Sequence, residues 1–214
     1  MNSQERAALQ RSYDVVADQY ATRIYDELRH KPLDRELLDR LAARAGRLGP
    51  ICDLGCGPGQ IARYLHEQGA AVCGVDLSPA MVATARRLSP EIAFAQGDML
   101  ALSACDAAWG GIAAFYSLVN IPRLDLPQAI SEMHRTLRPG GWLLTAFHIG
   151  DETVHLDEWW GQAVALDFFF FRTHEIANLL TTAGLELIES IEREPYPEVE
   201  HPSRRAYLFA RRPE

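Results

Sequence analysis

Three acidic residues and a run of glycines fall where a nucleoside-sized ligand would be held. Asp53-Leu54-Gly55-Cys56-Gly57-Pro58-Gly59 follows a short apolar run. Its glycines permit positive φ and let a ligand lie against bare backbone. Asp76 closes a second apolar run 23 residues beyond Asp53, where a carboxylate can accept both hydroxyls of a ribose. Asp98 closes a third, placed to accept from an exocyclic amine such as that of adenine. Each signal alone is weak, since a glycine loop also marks an ordinary strand–helix turn and a terminal carboxylate often only caps a helix. Their order along the chain points to a nucleoside-bearing ligand. A dinucleotide is the poorer candidate: the glycines stand at 55, 57 and 59 with Gln60 next, not in the G-x-G-x-x-G pattern that seats a pyrophosphate. Asp53 also disfavours a phosphate nearby. The same groups suit a ligand ending in an amino-acid zwitterion, whose ammonium seeks carbonyl oxygens and carboxylate.

The elements that must position these residues alternate. Strands are expected at Ile51–Leu54, Ala71–Asp76, Ile92–Ala95, Gly110–Tyr116 and Trp142–His148. Helices lie between them, one starting at Ser78-Pro79 and one ending before Arg138-Pro139-Gly140-Gly141. Short connections in this order favour a parallel α/β sheet, doubly wound and Rossmann-like, with helices on both faces. Ligands of such sheets sit beyond the carboxyl ends of the strands, where all three acids are expected. Two helices precede the sheet, about Gln4–Asp26 and Asp34–Arg47, the first with Tyr13, Val16, Ala17, Tyr20 and Ile24 on one face. A helix at about Thr173–Ala183 and two strands, Leu185–Arg193 and Arg205–Ala210, end the chain.

These motifs are recognisable together. Ile51–Gly59, Gly74-Val75-Asp76-Leu77-Ser78-Pro79-Ala80-Met81, Gln96-Gly97-Asp98-Met99 and Leu137–Gly141 resemble, in sequence and order, the class I S-adenosylmethionine-dependent methyltransferases, particularly small bacterial ones. The likeness runs from about Tyr13 to His148, and the final helix and hairpin fit it too. It implies one domain over 1–214: a seven-stranded sheet with the last strand antiparallel, an N-terminal helical cap over 1–48, and an insertion at 149–172 lining the acceptor site. It implies S-adenosylmethionine as cofactor, leaving as S-adenosylhomocysteine. Asp53 and the Gly55-Cys56-Gly57 backbone would meet its methionine end, Asp76 the ribose, Leu77 and Met99 the adenine faces and Asp98 the adenine amine. Tyr13 from the cap, Met81 and Tyr116 complete the expected cofactor set. Tyr20 shares the apolar face of Tyr13, where both tyrosines also read as core. One departure is Asn120, where relatives often carry histidine. No Asn-Pro-Pro-Tyr motif follows strand four, which argues against modification of adenine or glutamine.

A sulfonium methyl is already electrophilic, so alignment and water exclusion carry most of the chemistry. His148, at the expected end of strand five, is the candidate base, imidazole titrating near neutrality; it reads equally as a structural histidine. His155 and Glu158 lie on the following segment, where they could line the acceptor site. His148, His155 and Glu158 have no recognised ligand spacing, so no metal is expected. Trp159, Trp160 and Phe168–Phe171 supply an aromatic run, part core and part acceptor lining, which favours a small-molecule acceptor. The polar group Glu194, Tyr196, Glu200, His201 and Arg204 reads as solvated surface before it reads as a lid.

Composition narrows the partners. Apolar residues make up 48% and charged residues 23%, enough for a packed core, and the formal charge of −8 repels polyphosphate and anionic lipid. No nucleic acid or membrane partner is expected, and no run reaches the ~18 apolar residues of a span. The start, Met1–Arg6, lacks a secretory pattern, and the four cysteines form no C-x-x-C pair, so a cytoplasmic protein with reduced thiols is expected. Two other readings stay open: an NAD-type oxidoreductase on a related sheet, and a non-catalytic protein that binds the cofactor.

Overall fold

A computed structural model describes residues 1–214. Seven strands form one sheet, in the spatial order Ala93–Gln96, Val72–Asp76, Ile51–Leu54, Trp109–Phe115, Leu137–His148, Arg205–Arg211 and Glu186–Arg193. Their ranges are β1 Ile51–Leu54, β2 Val72–Asp76, β3 Ala93–Gln96, β4 Trp109–Phe115, β5 Leu137–His148, β8 Glu186–Arg193 and β9 Arg205–Arg211. The first five run parallel, and β9 pairs antiparallel with both β5 and β8. Strand order reverses between β1 and β4, so a crevice opens beyond their carboxyl ends.

Two hydrophobic layers cover the sheet, and strand alternation assigns side chains to them. On one face Ile112, Leu143, Phe147 and Leu208 pack under α5 (Leu126–Thr136) and α6 (Thr173–Thr182). On the other Ile51, Leu144 and Phe209 pack under α2 (Pro32–Ala45) and α3 (Gln60–Glu67). The remaining helix of the sheet, α4 (Pro79–Leu88), is capped by Ser78, whose Oγ accepts from Met81 N at 3.1 Å.

The cap begins with α1 (Ser3–Ile24), opened by a capping box between Asn2 and Glu5. Val16 and Ala17 of α1 bury against Met81 of α4. A 3₁₀ turn, Glu27–His30, leads into α2. The region 149–172 is more regular than its aromatic, acidic composition suggests: β6 (Thr153–Trp159) and β7 (Gln162–Phe169) form a separate antiparallel hairpin. Trp160 and Gly161, both at positive φ, make its two-residue turn, the geometry that matches strand twist. The hairpin docks on α1 through Ala165 N, which donates to Ser12 Oγ at 2.9 Å.

Candidate active site

A solvent-open cleft lies beyond β1, β2 and β4, with about 810 Å³ of empty space counting the solvent at its mouth. Gly55, Gly57 and Gly59 hold φ of 75°, 51° and 87°, so the loop turns without strain. A Cβ on Gly55 would stand 2.3 Å from Ser117 Cβ, which fixes glycine there. Gly57 N donates to Asp76 Oδ2 and Ser78 N to Asp76 Oδ1, each at 2.8 Å. Each oxygen keeps a further lone pair, the arrangement that accepts two vicinal hydroxyls. Burial pushes the Asp76 carboxyl up to about 6, partly offset by these amides. Asp98 Oδ1 accepts from Leu100 N at 2.9 Å. Arg6 Nε of α1 lies 2.8 Å from Asp98 Oδ2 as a charge pair, without hydrogen-bond alignment at either atom. Leu77, Met81 and Met99 line the same cavity with Tyr13, Cys56 and Tyr116.

The residues present fit a sulfonium nucleoside. A glycine floor, a ribose-type carboxylate, apolar side chains and a second carboxylate lie in sequence, and buried Ser117 Oγ has no partner in the protein. Asp53 departs from expectation, because it does not line the cavity. Alternation along β1 turns it, like Ile51, toward α3, where its Oδ2 accepts from Ala62 N at 2.9 Å. Burial there raises its carboxyl to about 8.

A second cavity, roomier than the first and likewise open to solvent, shares Tyr13, Tyr20, Gln60, Phe115 and Tyr116 with it. Val154, Leu156, Trp159, Phe168 and Phe170 form much of its apolar wall. Strand alternation explains the choice. Val154 pairs with Phe168 and Leu156 with Leu166 on the inner face, whereas His155 pairs with Asp167 on the outer one. His155 is half exposed between Asp157 and Asp167, and Glu158 is exposed, so neither lines this cavity. Phe171 is fully buried beneath the sheet, and Trp160 caps the turn, stacked on Trp159 at 4.5 Å.

His148 does line this second cavity, stacked on Phe170 at 4.9 Å, with Nδ1 2.7 Å from Ser203 Oγ. Burial, then the charges of Arg205, His201 and Lys31, push its imidazolium down to about 3. The ring is neutral at pH 7 and weakly basic.

The floor was not legible in the sequence. Glu200, read as solvated, is 1% exposed at its side chain, with Arg193 at 2.7 Å, Arg205 at 3.2 Å and Lys31 at 3.5 Å. Burial pushes its carboxyl up, but hydrogen bonds from Arg193 and the Tyr196 amide, with the charges of Lys31 and Arg205, outweigh this and hold it at about 2. Arg204 points outward to Glu192 and Glu194 as expected of surface. Asn120 ties cap to hairpin: its Oδ1 accepts from Tyr13 Oη at 2.7 Å and its Nδ2 donates to Asp167 O at 3.0 Å. Tyr13 and Asn120 each stand out in the sequence, but nothing there joins them.

The sheet, with β9 antiparallel, has the Rossmann-like order expected from the sequence, and residues 51–141 match the family described as Methyltransferase domain. Among relatives, the chain is 35% identical over 137 residues to a malonyl-[acyl-carrier protein] O-methyltransferase of Enterobacter lignolyticus, covering 61% of this chain and 52% of that protein. It is 35% identical over 112 residues to a demethylmenaquinone methyltransferase of Beutenbergia cavernae, covering 52% and 45%. The chain thus spans about half the length of these curated relatives. In fold it is similar to Burkholderia thailandensis 1,6-didemethyltoxoflavin-N1-methyltransferase, solved with 1,6-didemethyltoxoflavin and S-adenosylhomocysteine: TM-score 0.74, 23% identity, 100% of this chain and 92% of that one.

Proposed function

We propose that the protein transfers the methyl group of S-adenosylmethionine to a small, largely apolar organic acceptor. One observation carries the reading: a cavity floored by Gly55–Gly57 and walled by Asp76 and Asp98 shares tyrosine walls with a larger aromatic chamber. When bound, the cofactor supplies an electrophilic methyl on positively charged sulfur. Asp76 would accept the ribose hydroxyls, Asp98 the adenine amine, and Leu77 and Met99 would pack against the base. The Gly55–Gly57 backbone would meet the methionine end. Tyr13 and Tyr20 border both cavities and would hold the reacting partners in line, an effect worth roughly 7–11 kcal/mol in well-aligned systems. Trp159, Phe168 and Phe170 would exclude water around the acceptor.

The formal charge of −8 supports a partner other than nucleic acid or anionic membrane, and no helix is long and apolar enough to cross a membrane. All four cysteines are free, which supports a reducing, cytoplasmic setting. The test is calorimetric titration with S-adenosylhomocysteine, then methyl-labelled cofactor with a panel of small phenols, N-heterocycles and carboxylates. Saturable binding and label transfer to at least one acceptor are expected. Absence of any heat, or tight binding with no transfer to any acceptor class, would overturn the proposal.

A further inference from the structure

Gln60 is 8% exposed and lines both cavities. Its Nε2 donates to Glu27 Oε1 at 3.2 Å. That contact fixes the amide's orientation, because a carboxylate paired with a cation only accepts. Gln60 Oε1 is then the orphan: it is buried and has no hydrogen-bond partner in the protein. A buried carbonyl left unpartnered is costly, so the position is built for a donor that arrives with a ligand. Glu27 lines the second cavity, and its other oxygen, Oε2, takes Lys31 Nζ at 2.6 Å. Lys31 also faces Glu200 at 3.5 Å, and Glu200 faces Arg205 at 3.2 Å. The charges along this floor are therefore paired with one another, and an acceptor bearing its own charge meets no free counterion. What the junction of the cavities does offer is two oxygen acceptors side by side.

We propose that Gln60 and Glu27 form the receiving site for the proton-bearing nucleophile of a neutral acceptor, a hydroxyl or N–H group, and that Glu27 takes its proton. The proposal rests on the methyl-transfer reading and names the acceptor class for it. The acceptor's X–H donates to this pair, which turns a lone pair of X toward the cofactor cavity. A bond forms between X and the methyl carbon while the carbon–sulfur bond breaks and its electrons stay on sulfur. The X–H electrons stay on X, and the proton passes to the Glu27 carboxylate and from there to solvent. A neutral acceptor and a sulfonium thus give a neutral methylated product, a neutral thioether and one proton.

Two measurements test this. Calorimetry on the cofactor-free protein compares a neutral naphthol with its methyl ether, which lacks the proton. The naphthol should bind about 10-fold or more tightly to the wild type, and Gln60→Leu should erase the gap. Equal affinities in the wild type would overturn the site without recourse to any variant. Single-turnover transfer is then measured for phenols of graded acidity with Glu27→Gln, an isosteric change. The loss should be about 10²–10⁴-fold for weakly acidic phenols and should shrink toward none for those already ionised in the assay. A uniform loss across the series would overturn Glu27 as the proton acceptor. Failure of the wild type to methylate any acceptor would instead overturn the methyl-transfer reading, while the naphthol–ether comparison still decides on Gln60.

Discussion

At the scale of single residues, a buried and a half-buried aspartate one strand apart behave differently because their surroundings differ. Asp76 holds two backbone amides and faces the cavity, with a carboxyl near 6. Hydroxyl donors favour its ionised form, so S-adenosylhomocysteine affinity should fall as pH drops below 6, and Asp76→Ala should weaken it by about 10–100-fold at pH 7.5. A dissociation constant unmoved by either change would remove Asp76 from the ribose site. Asp53 faces α3 with its carboxyl raised from 3.8 to about 8. A folded-state value above the unfolded one means that stability is fullest below pH 4 and is lost as pH rises through 8. Asp53→Asn should remove that slope and gain about 1 kcal/mol or more at pH 8 relative to pH 5, a difference of ~2–4 °C in melting temperature. Parallel melting curves for the two proteins across that range would contradict the burial argument.

At the scale of elements, the loop 194–204 is held by Glu200 and not by its apolar content. Removing this carboxylate leaves Lys31, Arg193 and Arg205 buried without their shared partner, so Glu200→Ala should cost about 3–5 kcal/mol in urea unfolding. Arg204→Ala, which breaks only half-exposed pairs to Glu192 and Glu194, should cost under ~1 kcal/mol. Comparable losses would mean the loop is held by something else. The same contrast explains what could be read from sequence. The strands β1 to β5 were legible because each ends in a motif whose chemistry and periodicity agree, and all the expected cofactor contacts but Asp53 line one cavity. Asp53 misled because it shares a motif with the cavity residues but an alternate face with Ile51. The β6–β7 hairpin was hidden because its turn is Trp160-Gly161, not an asparagine–glycine pair, and tryptophan at φ 54° carries no turn signal. The acceptor floor was hidden for a different reason. Lys31, Glu200 and Arg205 read as surface charges one at a time, and they become core only when the fold brings them together from the cap and the last hairpin.

At the scale of the whole molecule, α2 joins the sheet through an apolar layer, whereas α1 meets the strand tips around the cavity. The cap's α1 reaches the sheet's strand tips through Arg6 beside Asp98, Asp14 beside Ser78 and Tyr13 on Asn120, while the hairpin rests on α1 through Ser12. Apart from Val16 and Ala17 packed on Met81, these are polar contacts around an open cleft, thin compared with the apolar layers on either side of the sheet. A ligand that fills the cavity adds contacts between pieces the protein alone joins weakly, and it binds only the folded state. At 100 times its dissociation constant, S-adenosylhomocysteine should stabilise the fold by about 2.7 kcal/mol. For a chain of this length that is a rise of about 5–11 °C in melting temperature. Hydrogen exchange should locate the gain: amides of α1, the Gly55–Gly59 loop and the β6–β7 hairpin slow, while those of the outermost strand β8, remote from the cavity in strand order, change little. Slowing spread evenly over β8 and the cap would mean that cap and sheet already form one cooperative unit, and a melting temperature fixed at every ligand concentration would mean that the cavity binds no such molecule.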